Sequence, residues 1–189
     1  VGAPVRAIAY RRVARPLRGR LHGSHVVRAR DGLRLRVDLG DIAGAMLATS
    51  GVWEPNVTAA IRSLVRQGDV VVDVGANIGY FSLLAARLAG PSGTVYALEP
   101  AASTYAELCV NIALNRAVNV VPLQVAAGAE EALLPLRVPR GGNSGRASLV
   151  EWPGTDAFVD ETVIVPVAPL AALVRPDDQG RVAVVKVDV

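Results

Sequence analysis

Residues 69–79 read Asp-Val-Val-Val-Asp-Val-Gly-Ala-Asn-Ile-Gly, and their order decides the fold. An apolar strand over 70–74 runs into a turn carrying Gly75 and Gly79, and an apolar helix over 78–89 follows until Gly90-Pro91 stops it. Glycines at such a turn let the chain reverse sharply and let a ligand lie against bare backbone amides at a helix N-terminus. Asp73, two positions before the first glycine, separates this loop from a phosphate-binding one. A carboxylate there repels phosphate but pairs with an ammonium group or accepts hydrogen bonds from hydroxyls. The loop therefore suits a nucleoside that carries a cation, and S-adenosylmethionine meets that description.

Outward from the loop, strand and helix alternate. Strand 94–98 ends in Glu99-Pro100, helix 102–115 carries Tyr105, Leu108 and Ile112 inward, and strand 118–125 follows. Thr104 and Glu107 have the spacing of a capping box at the start of that helix. Near-continuous apolar strands alternating with helices predict a parallel sheet covered on both faces, an α/β fold. Upstream, residues 26–39 alternate apolar and charged around Asp31-Gly32, which predicts a β-hairpin. Residues 57–65 place Val57, Ile61, Leu64 and Val65 on one helical face, with Gly68 behind them.

The region 128–168 breaks the rhythm, with short strands expected at 133–138, 147–152 and 161–167 as an antiparallel insert. A helical turn over 170–174 and a buried strand over 182–189 close the sequence. The expected organisation is a basic leader (1–25), a hairpin with its lead-in helix (26–68), and a cofactor-binding domain (69–189). With the chain stopping in mid-pattern, the sheet is expected to lack its last strands.

Composition narrows the class. The 189 residues suffice for one α/β domain, half of them are apolar, and aromatics are few. Cys109 is the single cysteine, so no intrachain disulfide forms, and its apolar helix face makes it a core residue rather than a nucleophile. No uncharged apolar run has the length of a membrane span and no secretory leader is visible, so a cytoplasmic protein without membrane partners is expected. The net charge of +3 hides an asymmetry: residues 1–36 hold ten arginines against Asp31, a balance of +9, and the rest sums to −6. The basic arm lacks interleaved aromatics beyond Tyr10, so it reads as a solvated leader rather than a nucleic-acid-binding arm. His22 and His25 flank Gly23, which argues against a helical metal pair.

Ligands of parallel sheets gather at the carboxyl ends of the strands, where the strand order reverses. Asp73, Glu99 and Asp188 stand at such ends. Glu99 follows Gly75 by 24 residues, about the distance at which an acid meets ribose hydroxyls. Asn77 serves either as a helix N-cap or toward the ligand's amino acid portion. Ala126 and Ala127 are small enough to admit an adenine ring. Asp188 could accept a proton from a substrate hydroxyl, bind a metal, or hold the ligand's ammonium, and it could equally form a structural pair with Lys186.

Four blocks, Asp73-Val-Gly-Ala-Asn-Ile-Gly-Tyr-Phe-Ser82, Ala97-Leu-Glu-Pro100, Asn111-Ile-Ala-Leu-Asn115 and Lys186-Val-Asp-Val189, resemble the FkbM-type methyltransferases. The resemblance implies a class I, Rossmann-like fold that uses S-adenosylmethionine to methylate a hydroxyl of a sugar, polyketide or similar metabolite. It places Asp73, Gly75, Asn77 and Gly79 on the methionine side, Glu99 on the ribose, and Asp188 as the catalytic residue near methyl transfer. The sequence departs from that family where Leu170-Ala171 stands for its usual Leu-Asp. On this reading the partner is a small-molecule acceptor and nucleic acid is disfavoured. Three rivals remain: a truncated, non-catalytic cofactor-binding fragment, a nicotinamide-dependent oxidoreductase, and a nucleic-acid methyltransferase guided by the basic arm. Metal dependence and oligomeric state are not legible.

Overall fold

The computed structural model describes residues 23–139, 149 and 159–188. The basic leader up to His22, the turn after Pro139 and the strand expected at 147–152, apart from Leu149, lie outside the described residues. Four parallel strands form the central sheet: β3 (Val70–Val74), β4 (Thr94–Leu98), β5 (Val120–Leu123) and β9 (Val182–Val187), in the order β5-β4-β3-β9. The chain steps from β3 through α3 (Tyr80–Ala89) to β4, then through α4 (Ala102–Asn115) to β5, and finally returns to the far side of β3 as β9. The order therefore reverses between β3 and β9, and the carboxyl ends of these two strands frame the crevice. This is a Rossmann-like parallel α/β architecture, and the strand–helix rhythm anticipated its parallel sheet.

β3 is buried at all five positions, as a strand covered on both faces must be. Val71, Val95 and Ala97 face α3, α4 and the hairpin, packing with Leu83, Leu84 and Leu108. Val70, Val72, Val74, Tyr96 and Leu98 face the opposite side. They meet Leu170 and Leu173 of α5 (Leu170–Leu173) together with Val174. Among the described residues, the helices on that side are α5 and α6 (Pro176–Gln179), each a single short turn. Within α6 Asp178 is buried, accepting a 2.6 Å hydrogen bond from Tyr96 Oη and pairing with Arg181 at 3.2 Å.

The hairpin forms from β1 (Ser24–Arg28) and β2 (Arg34–Asp38), joined through Asp31-Gly32 as expected. Leu35 and Val37 face the core while Arg34 and Arg36 face away. The insert is a second sheet of three strands. In it β8 (Val159–Ala168) pairs antiparallel with β7 (Ala132–Pro139) and parallel with the two-residue β6 (Ala126–Ala127).

Several local expectations need correction. Helix α1 (Ile42–Ser50) occupies a stretch to which the periodicity assigns nothing, because its sequence is apolar nearly all round and shows no polar face. Its caps were the legible signal: Asp41 Oδ1 accepts from Ala43 N, and Gly51 closes the helix in a left-handed conformation. Helix α2 (Pro55–Leu64) buries Ile61 with Val65 just beyond it, but Leu64 is exposed. The capping box does not form. Ala101 occupies the α4 N-cap without a side-chain bond, and Glu107 instead grips the Arg36 guanidinium at 2.7 and 2.9 Å. Strand 118–125 contracts to β5, with Val118 fully out in solvent.

Candidate functional site

The loop after β3 is pinned before its glycines act. Gly75 N and Ala76 N both donate to Leu98 O, at 3.0 and 2.9 Å, so the turn is laid across the end of β4. Gly75, Asn77 and Gly79 all have positive φ, at 73, 51 and 90°. The amides of this turn are engaged within the fold, Asn77 N with Glu99 and Gly79 N with Ala76 O at 2.9 Å. Gly79 is the position where a side chain is excluded twice. Its φ is left-handed, and a Cβ there would stand 2.5 Å from Leu108 Cδ1. Gly79, not Asn77, is the N-cap of α3, which corrects the N-cap reading of Asn77. The Asn77 carboxamide oxygen accepts from Ile78 N at 2.7 Å, a local contact that supports its left-handed backbone.

Glu99 follows β4 and is buried, with Oε2 accepting from Asn77 N at 2.9 Å and Oε1 from Ala101 N at 3.0 Å. One carboxylate thus joins the glycine loop to the α4 N-terminus. Burial pushes its pKa above the ordinary glutamate value, opposed by the hydrogen bonds from Ala101 and Asn77. Each oxygen keeps a lone pair for a further donor.

Asp73 is deeper still. Its Oδ2 accepts from Ser82 Oγ at 2.6 Å, and Lys186 Nζ from β9 stands 3.0 Å from Oδ1. That ammonium lies off the line of a hydrogen bond, leaving Oδ1 buried without one. Burial raises the Asp73 pKa above the ordinary aspartate value, while Lys186 and then Ser82 pull it down. Lys186 also donates to Gly75 O at 3.0 Å and sits 5.3 Å from the Phe81 ring centroid. Asp188, one residue past β9, is anchored by its N–H to Val74 O at 3.1 Å, and its side chain is 65% exposed. Lys186 lies 3.7 Å from Asp188, farther than from Asp73, so the pair weighed in the sequence is secondary to a Lys186–Asp73 pair.

The structure thus brings Asp73, Gly75 and Asp188 to the ends of β3 and β9, with Asn77 and Gly79 along the loop after β3 and Glu99 bonded to that loop from the end of β4. Ala126 and Ala127 are taken up in β6, paired with Val167 and Ala168. Among the described residues no cluster of three or more His, Cys, Asp or Glu side chains could hold a metal ion. No helix among them is long and apolar enough to cross a membrane.

Sequence reasoning missed Ser82 and the role of two asparagines. Asn111 Oδ1 accepts from Arg36 N at 2.6 Å, and its Nδ2 donates to Ile78 O at 2.8 Å and Arg36 O at 3.2 Å. Asn115 repeats this at Arg34, accepting from its N at 2.9 Å and donating to its O at 2.6 Å. Two carboxamides four residues apart on α4 therefore pair with the free edge of β2 as a neighbouring strand would. The available signal was their spacing, four residues apart on the helix face that also buries Leu108.

The family model of the TRM5/TYW2 methyltransferase domain matches residues 26–131, over half of the chain. The tRNA(Phe) (4-demethylwyosine(37)-C(7)) aminocarboxypropyltransferase of Methanocaldococcus jannaschii is 37% identical over 83 residues, covering 44% of this chain and 32% of that protein. The ribosomal protein L11 methyltransferase of Bacillus cereus is 40% identical over 70 residues, covering 35% of this chain and 22% of that one. The crystal structure of M. jannaschii TYW2 in complex with AdoMet is 28% identical with a TM-score of 0.42, covering 55% of this chain and 43% of that one. The chain spans about a third or less of the length of these curated relatives. These matches overturn the FkbM resemblance, since the family that matches is TRM5/TYW2. The expectation of a small-molecule acceptor with nucleic acid disfavoured falls with it, because the M. jannaschii relative is named for tRNA(Phe). What both families share stands: an S-adenosylmethionine-dependent methyltransferase domain with S-adenosylmethionine as its cofactor.

Proposed function

The chain belongs to the TRM5/TYW2 methyltransferase domain family, and on that premise we propose that it transfers the methyl group of S-adenosylmethionine to a tRNA. The observation that carries this reading is the family match itself, whose residues 26–131 take in the hairpin, the glycine loop and Glu99. A nucleic-acid methyltransferase stood among the rivals in the sequence, disfavoured because the arginine-rich arm lacks aromatic platforms. Arginines of the hairpin supply a phosphate-binding chemistry that needs none.

The residues present fit the cofactor. The buried Glu99 carboxylate at the end of β4, with an accepting lone pair left on each oxygen, is a donor-poor acceptor set that suits two hydroxyls. Glu99 would accept the ribose hydroxyls on its remaining lone pairs, and Gly75, Asn77 and Gly79 would line the methionine side. Asp73, buried and ion-paired with Lys186, would support the loop beneath the ligand, with Ser82 fixing its orientation. When bound, the cofactor supplies an electrophilic methyl on a positively charged sulfur. The chain holds the acceptor in line with that methyl, and such alignment is worth several kcal/mol. Asp188, exposed at the mouth of the crevice, is the proton acceptor on this reading.

A second reading, transfer of the aminocarboxypropyl group from the same cofactor, is favoured by the name of the M. jannaschii relative. One experiment separates the two. The protein is incubated with tRNA and S-adenosylmethionine labelled in the methyl group or in the carboxyl carbon. Methyl label in the RNA supports methylation, carboxyl label supports the second reading, and neither label in RNA refutes both.

A further inference from the structure

The hairpin carries a feature that its own stability does not explain. In the β1–β2 register, Arg28 stands directly opposite Arg34. Like charges across an antiparallel pair are destabilising. Both side chains are exposed, as is Arg30 in the turn between the strands. The Arg87 guanidinium from α3 extends this group. A Cβ built on Gly32 would stand 3.3 Å from Arg87 Nη1 and 3.8 Å from Arg28 Nη2, so both guanidinium groups flank one backbone position. Among the described residues, no acidic side chain forms an ion pair with Arg28, Arg30 or Arg34. The nearby acids are committed elsewhere, Glu107 to Arg36 and the Asp31 side chain to Arg62 and Tyr80 Oη. The outer face of the hairpin is thus an assembled set of unneutralised guanidinium groups, held rigid beneath by Leu35 and Val37 in the core.

The face is also tied to the cofactor loop. Asn111 bonds the backbone of hairpin residue Arg36 and of loop residue Ile78 with one side chain. Tyr80, the first residue of α3, donates to Asp31 Oδ2 at 3.2 Å. A polyanion seated on the hairpin is therefore placed by the same contacts that shape the loop.

We propose that the outer face of the β1–β2 hairpin, through Arg28, Arg30 and Arg34, is the surface that receives the phosphate backbone of the RNA. This rests on the tRNA reading above. Guanidinium groups pair bidentately with phosphates, which removes the Arg28–Arg34 repulsion when RNA is bound.

The test measures binding of fluorescein-labelled bulk tRNA by anisotropy between about 50 and 200 mM salt, for the wild type and for R28Q/R30Q/R34Q. The triple variant is expected to bind about tenfold or more weakly, with its logarithmic salt slope reduced by about two to three, one contact per arginine. Its melting temperature should be unchanged or higher, and its S-adenosylmethionine affinity by calorimetry unchanged. Arg28→Glu provides a second variant that places an opposite charge across from Arg34, so it should fold at least as stably while still weakening tRNA binding. A triple variant with wild-type affinity and slope overturns the hairpin proposal and leaves the tRNA reading intact. A wild type that binds no tRNA overturns both. Equal binding of polyglutamate and tRNA by the wild type overturns RNA as the occupant in favour of an acidic protein.

Discussion

At the scale of single residues, Glu99 and Gly79 carry the sharpest consequences. Glu99 is proposed to hold the ribose, and hydrogen bonds to a charged group are worth about 1.5–3 kcal/mol. Glu99→Ala should therefore weaken S-adenosylmethionine binding about ten- to hundredfold in calorimetry, and an unchanged affinity would remove Glu99 from the site. Burial raises the Glu99 pKa, so the folded state disfavours its ionised form. The stability contribution of such a group is present below the unfolded pKa and lost as pH rises through the folded one. Cofactor binding needs the carboxylate and runs the other way. Affinity should fall as pH drops through a midpoint above the ordinary glutamate value, and the stability of Glu99→Gln relative to wild type should rise with pH. A flat difference in melts across pH 4.5–8 would contradict the second statement. Gly79→Ala meets both a left-handed φ and Leu108, and should cost about 1–3 kcal/mol in denaturant unfolding.

At the scale of elements, the decisive joint is between α4 and β2. Replacing Asn111 by Ala removes three hydrogen bonds and leaves the Ile78 carbonyl and the Arg36 backbone groups short of partners. A loss of about 3 kcal/mol in denaturant unfolding is expected, accompanied by weaker cofactor binding because Ile78 belongs to the loop. A loss of stability with cofactor affinity untouched would show that the joint does not shape the loop. This element also marks how far the sequence could be read. Strands β3 and β4, helix α4 and the hairpin follow from periodicity and turn residues, which are local, whereas β9 forms as a strand but leaves Val185 and Val187 exposed rather than buried. The function of Asn111 and Asn115 depends on β2, some 75 to 81 residues away, and no local pattern encodes that pairing. Helix α1 escaped because an almost wholly apolar segment has no polar face to set its period. Lys186 was visible, but its reach to Asp73 rather than Asp188 depends on the β3–β9 register.

At the scale of the molecule, the parallel sheet turns back beside β3 and concentrates acid, glycine and lysine there, which is why the cofactor half of the site was legible in sequence. The acceptor was not. The same loop serves acceptors of many kinds, and the signals that bear on the choice lie outside it, in the arginine face of the hairpin and in the family match over residues 26–131. The central claim is a methyl transfer to RNA, and the most direct measurement supplies the protein with methyl-tritiated S-adenosylmethionine, bulk tRNA and a pool of small hydroxylated metabolites together. The account predicts label in the acid-precipitable RNA, released as a methylated nucleoside on digestion. Unlabelled RNA with label in the metabolite pool would contradict it.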